Sequence, residues 1–312
     1  MGFQLCGLRY GLAMTDAIPV QSAASISTAR DYFQLLKPRV MLLVVFTGLC
    51  GLLLAPVPMH PFLAAIAVLC IALSAGGAGA INMWLERDKD ALMNRTRMRP
   101  LPSGRVTADD ALALGVFCVA ASTGLMAIAV NGLSAVLLLL AALFYIFIYT
   151  IWLKPRTVQN IVIGGAAGAF PPMIGWAAAT NDITLAPVIL FLIIFMWTPP
   201  HFWALSLYAR EDYARAGFPM LPVVAGEEET KIQILVYTLL LFPITLLPTF
   251  LGTAGMIYFW SAVALGGLFI LSALRVMRDT ANENSYKTAR QMFGYSIFYL
   301  FMIFLIMVID KS

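Results

Sequence analysis

Asn82, Glu86 and Asp90 recur every four residues, so on a helix they share one face and climb it over roughly 12 Å. One carboxamide and two carboxylates in a row suit a hard cation such as Mg²⁺. That ion takes one or two carboxylates and completes its shell with water and phosphate oxygens. Arg95, Arg97, Arg99 and Arg105 follow within segment 81–105. Guanidinium groups match phosphate oxygens through paired hydrogen bonds. Acids for a metal beside arginines for oxyanions is equipment for a diphosphate. The same charges on a plain loop would pair with each other and set topology. The aligned stripe together with the arginine cluster favours the diphosphate.

A second charged segment, 207–222, holds Arg210, Glu211, Asp212 and Arg215. Asp212 can add a metal ligand and Arg210 a phosphate contact. Lys154 and Arg156 offer more phosphate contacts, although both also suit simple topology charges. His201 lies inside an apolar run after Pro199 and Pro200, which should bend or break a helix. An ionisable group at membrane depth is a functional candidate, here for haem ligation or proton transfer. The bland alternative is a neutral histidine that satisfies backbone groups freed by the prolines. His60 reads as an exposed loop residue. The glycine-rich segment 164–176 reads first as helix packing.

These groups must be positioned by membrane helices. The 312 residues are 61% hydrophobic and 12% charged, with mean hydropathy +0.87. Soluble domains carry about twice that charged share. Nine apolar runs of spanning length lie at about 38–56, 61–84, 108–130, 133–153, 158–179, 185–206, 231–251, 255–274 and 289–309. The expected fold is all-α, a polytopic membrane protein with nine transmembrane helices around a central cavity. Thr107 and Asp110 have the spacing of an N-terminal capping box for the third run. Of 20 basic residues only Lys311 falls in the second of the two alternating loop sets. The positive-inside rule then places the N-terminus and the basic loops in the cytoplasm or matrix. The net charge of +4 is a topology signal and implies no nucleic acid.

Residues 1–30 read as a disordered tail, with Met1 or Met14 as the start, and 31–312 as one transmembrane domain. The lack of a long transit peptide points to a bacterial inner membrane rather than a mitochondrial one. Cys50, Cys70 and Cys118 fall inside apolar runs and read as small hydrophobes. Two acidic loops lie four spans apart, each after a tryptophan (Trp84, Trp203) and before a pair of prolines. They suggest a duplicated helical unit whose halves face one site.

The pattern N-x-x-x-E-x-D-x-D-x-x-M-x-R-T-x-x-R-P-L from Asn82 resembles the first motif of the intramembrane UbiA-type prenyltransferase superfamily, most closely its haem branch. YxxxLKPRTxxNIVIGGxxGAxPPxxGW from Tyr149 and PPHFWALSLYxREDYxxAGFPMLP from Pro199 resemble two further signatures of that branch. The likeness covers about 32–309. It implies that Asn82, Glu86 and Asp90 form the Mg²⁺–diphosphate motif and that Asp212 belongs to the second acidic motif. Met83 and Glu86 stand where many superfamily members have Asp, and the second motif lacks a well-spaced aspartate pair. The resemblance further implies transfer of a farnesyl group from farnesyl diphosphate to a vinyl group of haem b, with water added and diphosphate released. Haem A synthase, which acts next, is the implied partner. The rival readings are another prenyl acceptor (a quinone precursor or chlorophyllide) and a haem or solute transporter. A haem A synthase would need several intramembrane histidines, and the chain has 2.

Overall fold

A computed structural model describes residues 27–279 and 286–311. Most of the expected N-terminal tail, with Cys6 and both candidate start methionines, lies outside them. The first described helix is α1 (Ala29–Leu35), which the Thr28–Asp31 capping box opens. Lys37 follows in a left-handed conformation at φ 52°, and the chain turns by 61° into α2 (Pro38–Leu54). Then come α3 (Pro61–Leu92), α4 (Ala108–Ala129), α5 (Gly132–Leu143), α6 (Asn160–Thr180) and α7 (Leu185–Tyr208). Short α8 (Arg210–Arg215) and α9 (Leu221–Val224) precede α10 (Gly226–Phe250), α11 (Met256–Arg278) and α12 (Lys287–Ile309).

Eight of these helices, counting α5 with its continuation to Leu153 as one, are long and apolar enough to cross a bilayer; α1 with α2 supplies a ninth, bent span. The expected spans are therefore all present. Two departures matter for the site. The run expected over 61–84 continues unbroken to Leu92. At 1.5 Å per residue α3 is about 48 Å long, well beyond a hydrocarbon layer of about 30 Å. The overhang carries Glu86 and Asp90. Secondly, α5 widens over Phe144–Leu153 into a π-helix. The extra residue per turn rotates the side chains that follow it, including Lys154.

The helices form two sub-bundles, α2–α6 and α7 with α10–α12, joined where α6 meets α7 and α12 meets α2. Ile71, Met126, Leu138 and Ile174 fill the first core; Trp203, Tyr258, Phe269 and Tyr299 fill the second. α3 and α7 both end in charged loops, and the two loops meet. The glycine-rich segment packs as expected. A methyl on Gly51 would strike the Pro172 carbonyl, and one on Gly175 the Gly48 carbonyl, so α2 and α6 touch backbone to backbone.

The expected break at Pro199 and Pro200 does not occur. α7 runs through both prolines, which are buried. Neighbouring helices hold it in shape: Trp197 Nε1 donates to the Ser296 carbonyl of α12 at 2.8 Å, and Gly165 of α6 leaves room for Thr198. Thr107 caps α4 by accepting from Asp110 N at 3.1 Å. His60 is exposed at the start of α3. Cys50, Cys70 and Cys118 are buried free thiols.

Candidate active site

Asn82, Glu86 and Asp90 are all buried on one face of α3, from 1% to 6% exposed. Three polar groups so deep in an apolar bundle require partners. Each has a cation or a strong donor. Lys37 Nζ donates to Asn82 Oδ1 at 2.6 Å, and Asn82 Nδ2 donates to Thr150 Oγ1 at 3.1 Å. Lys154 Nζ lies 2.6 Å from the Glu86 carboxylate. Arg99 donates to Asp90 Oδ2 at 2.7 Å. Asp90 Oδ1 is buried with no partner. A buried carboxylate oxygen left bare fits a site built for a hard cation. Among the described residues, no group of three or more His, Cys, Asp or Glu converges on one metal position. The donor set of one carboxamide and two carboxylates, with the bare Asp90 oxygen, fits Mg²⁺ that draws further oxygens from substrate phosphate.

In the sequence Lys37 is one more basic residue of the loops, and the π-helical Thr150 carries no signal. Both grip Asn82. Lys37 could have been suspected from its place in Lys-Pro-Arg at the mouth of the first span. Lys154 faces the site because the π-helix turns it there. Phe218 of the second loop lies between two ammonium groups, 4.7 Å from Lys154 and 4.3 Å from Lys89. Burial pulls the Lys154 ammonium down, but the Glu86 charge outweighs it and leaves the lysine above its ordinary value.

The two charged loops meet. Asp212 Oδ1 and Oδ2 accept from the backbone amides of Asn94 and Arg95, both at 3.3 Å, and Arg215 pairs with the same carboxylate. Arg95 donates to Tyr213 Oη at 3.2 Å. Asp212 thus ties loop to loop. Both its oxygens are engaged in that tie. Glu211 beside it is exposed.

Other expected phosphate contacts are accounted for elsewhere. Arg156 turns back onto the carbonyls of Ile151 and Trp152, at 2.7 and 3.1 Å, and caps the π-helix. Arg210 pairs with Glu227 at 3.3 Å. Arg105 binds Asp31 at 2.7 Å and anchors α1. These cations found local acceptors at helix ends, which spacing alone does not reveal.

His201 sits between two rings, Trp197 at 4.1 Å and Phe293 at 4.6 Å, both nearly parallel to it. Its Nδ1 lies 2.7 Å from Ser296 Oγ, and Ser296 Oγ donates to the Phe293 carbonyl. With that hydroxyl proton committed, the network assigns the imidazole proton to Nδ1 and leaves the lone pair on Nε2. Below Lys37 a cavity of about 170 Å³ descends between α2, α3, α5 and α6. Ser74, Ala75, Ala78 and Gly79 make its α3 wall.

The sequence pattern described as the UbiA prenyltransferase family matches residues 44–297. A protoheme IX farnesyltransferase of Novosphingobium aromaticivorans is 55% identical over 90% of this chain and 93% of its own length. One of Acidiphilium cryptum is 54% identical over 96% of each chain. Among solved structures, digeranylgeranylglyceryl phosphate synthase superposes with a TM-score of 0.73 at 17% identity, over 90% of this chain and 97% of that one. A UbiA homologue of Archaeoglobus fulgidus bound to DMAPP and Mg²⁺ gives 0.62 at 16% identity, over 88% and 99%. At such identities the superpositions establish the fold.

Proposed function

The chain belongs to the UbiA prenyltransferase family, and from that premise we propose that it farnesylates haem b to give haem O. The carbon–oxygen bond of farnesyl diphosphate breaks, and its electron pair leaves with the diphosphate. The π pair of a haem vinyl group forms the new carbon–carbon bond to the allylic cation. Water fills the resulting cation beside the porphyrin and gives up one proton. The buried stripe of Asn82, Glu86 and Asp90 amid Lys37, Lys154 and Arg99 is the observation that carries this reading.

Asn82, Glu86 and Asp90 would hold Mg²⁺, which when bound offsets charge on the departing diphosphate. Lys37, Lys154 and Arg99 bind the same oxyanion, and in a buried site their charges act at low dielectric. Asp212 keeps the first loop folded over the stripe through Asn94 and Arg95. The apolar cavity below Lys37 takes the isoprenoid chain and excludes water from the cation. Nε2 of His201 serves the haem iron. A ligating histidine characteristically donates its other N–H to a fixed acceptor, as Nδ1 does here to Ser296. The charged face is cytoplasmic by the positive-inside rule, in a bacterial inner membrane.

Incubation of the protein in membranes with haem b, farnesyl diphosphate and Mg²⁺, followed by haem extraction, tests this. The expected product is heavier than haem b by one farnesyl group and one hydroxyl. Unchanged haem b alongside a prenylated aromatic acid would sink the acceptor, and solute flux that survives loss of Asp90 would favour transport.

A further inference from the structure

Two cavities follow the seam between α2 and α3. The first, about 170 Å³, opens beneath Lys37 and Gly79. The second, about 840 Å³, lies further down the same helices, between Leu49, Leu53, Val68 and Ala72. Ile71 lines the first at its lower end. From Lys37 to Val44 and from Gly79 to Ile71 the walls descend about 10–12 Å. On α3 the wall changes from Gly79, Ala78, Ala75 and Ser74 to Ile71, and Leu138 of the α5 span and Ile174 of α6 also line the cavity. Ile71 is 1% exposed and lies flush under α2: a Cβ on Gly48 would be 2.9 Å from its Cδ1. Deeper still, α2 and α6 meet backbone to backbone at Gly48, Gly51, Pro172 and Gly175, where no side chain can withdraw. Ile71 is the deepest residue that α3 contributes to the first cavity, and forms its floor there.

We propose that Ile71 sets the length of the isoprenoid chain by stopping it at the end of the first cavity. The proposal rests on the prenyl transfer argued above. With diphosphate held beside Asn82, a chain of three isoprene units, about 15 Å at ordinary bond lengths, ends at this floor. A fourth unit would need the space of the Ile71 side chain. Once that is removed, the first cavity lengthens by the volume of the side chain and admits it.

The test gives wild type, Ile71→Ala, Ile71→Val and Ala75→Leu an equal mixture of geranyl, farnesyl and geranylgeranyl diphosphates with haem b, and counts products by mass. One methylene in an apolar pocket discriminates by about 10- to 200-fold, so Ile71→Ala should raise the C20 to C15 product ratio at least about tenfold. Ile71→Val should raise it less. Ala75→Leu fills the cavity and should shift products towards C10. A ratio within about twofold of wild type in an Ile71→Ala protein that still makes the C15 product overturns the proposal. If Ile71→Ala does not accumulate, an unchanged C10 to C15 ratio in Ala75→Leu overturns it instead. Should wild type prenylate another acceptor, the haem reading fails and the chain-length ratio is read on that product.

Discussion

The ammonium of Lys154 stands 2.6 Å from the carboxylate of Glu86, and both side chains are almost fully withdrawn from solvent. Breaking a buried pair from one side strands the other charge and costs about 3–5 kcal/mol. Glu86→Gln should therefore lower thermal stability as well as activity. It should also change the pH profile. In the wild type the folded lysine lies above its ordinary value. Stabilisation from the pair is then complete below the ordinary lysine pKa and lost only as pH rises through the raised one. Without Glu86 the burial penalty remains unopposed, and Lys154 should lose its proton at lower pH. Activity of Glu86→Gln should decline on the alkaline side at a pH where wild type is still flat. Matching alkaline limbs in kcat/KM would contradict this.

Asp90 and Asp212 should respond differently to the same change. Asp90 carries the bare buried oxygen. Asp90→Asn should lower kcat by about 10²- to 10³-fold, the scale for loss of a charge-stabilising group, and raise the Mg²⁺ needed for half-maximal rate. Asp212→Asn loosens two backbone amides. It should cost about 1.5–3 kcal/mol, seen mainly as a higher KM for farnesyl diphosphate, with Mg²⁺ demand unchanged. Titration of both variants with Mg²⁺ separates bracing from ligation.

His201→Phe keeps the stack of three rings between Trp197 and Phe293 and removes the nitrogens. If the residue only packs, the variant stays active. The expected outcome is loss of haem farnesylation and a shifted Soret band on haem titration, with stability changed by less than about 1.5 kcal/mol. Ser296→Ala, which frees Nδ1, should weaken haem affinity about 10- to 100-fold.

Arg156→Ala should leave KM for farnesyl diphosphate within about twofold of wild type, since it removes only a helix cap worth about 0.3–1 kcal/mol. A large rise in KM would return Arg156 to the diphosphate site.

Much of this architecture was legible because long apolar runs have few alternatives to spanning helices, and the Asn82, Glu86, Asp90 stripe needed only helical periodicity. The contacts around the stripe were harder to read. Lys37 reaches Asn82 because of a left-handed residue and a 61° turn, which no periodicity marks. Lys154 faces Glu86 through a π-helix whose apolar sequence reads like any other span. Asp212 lies opposite the first loop, as the echo between the two loops suggests, while its tie to the amides of Asn94 and Arg95 leaves no mark in spacing. Pro199 and Pro200 predict a bend or a break, and what keeps that helix whole belongs to α6 and α12.

The tie between Asp212 and the amides of Asn94 and Arg95 also sets an order of events during synthesis. The Asn82, Glu86, Asp90 stripe leaves the ribosome well before Asp212 does, and at ordinary elongation rates the gap is on the order of ten seconds. During that interval the overhang of α3 has acids and arginines but no brace. A nascent chain arrested before α8 would hold every residue of the stripe and still lack the tie that holds its first loop in place.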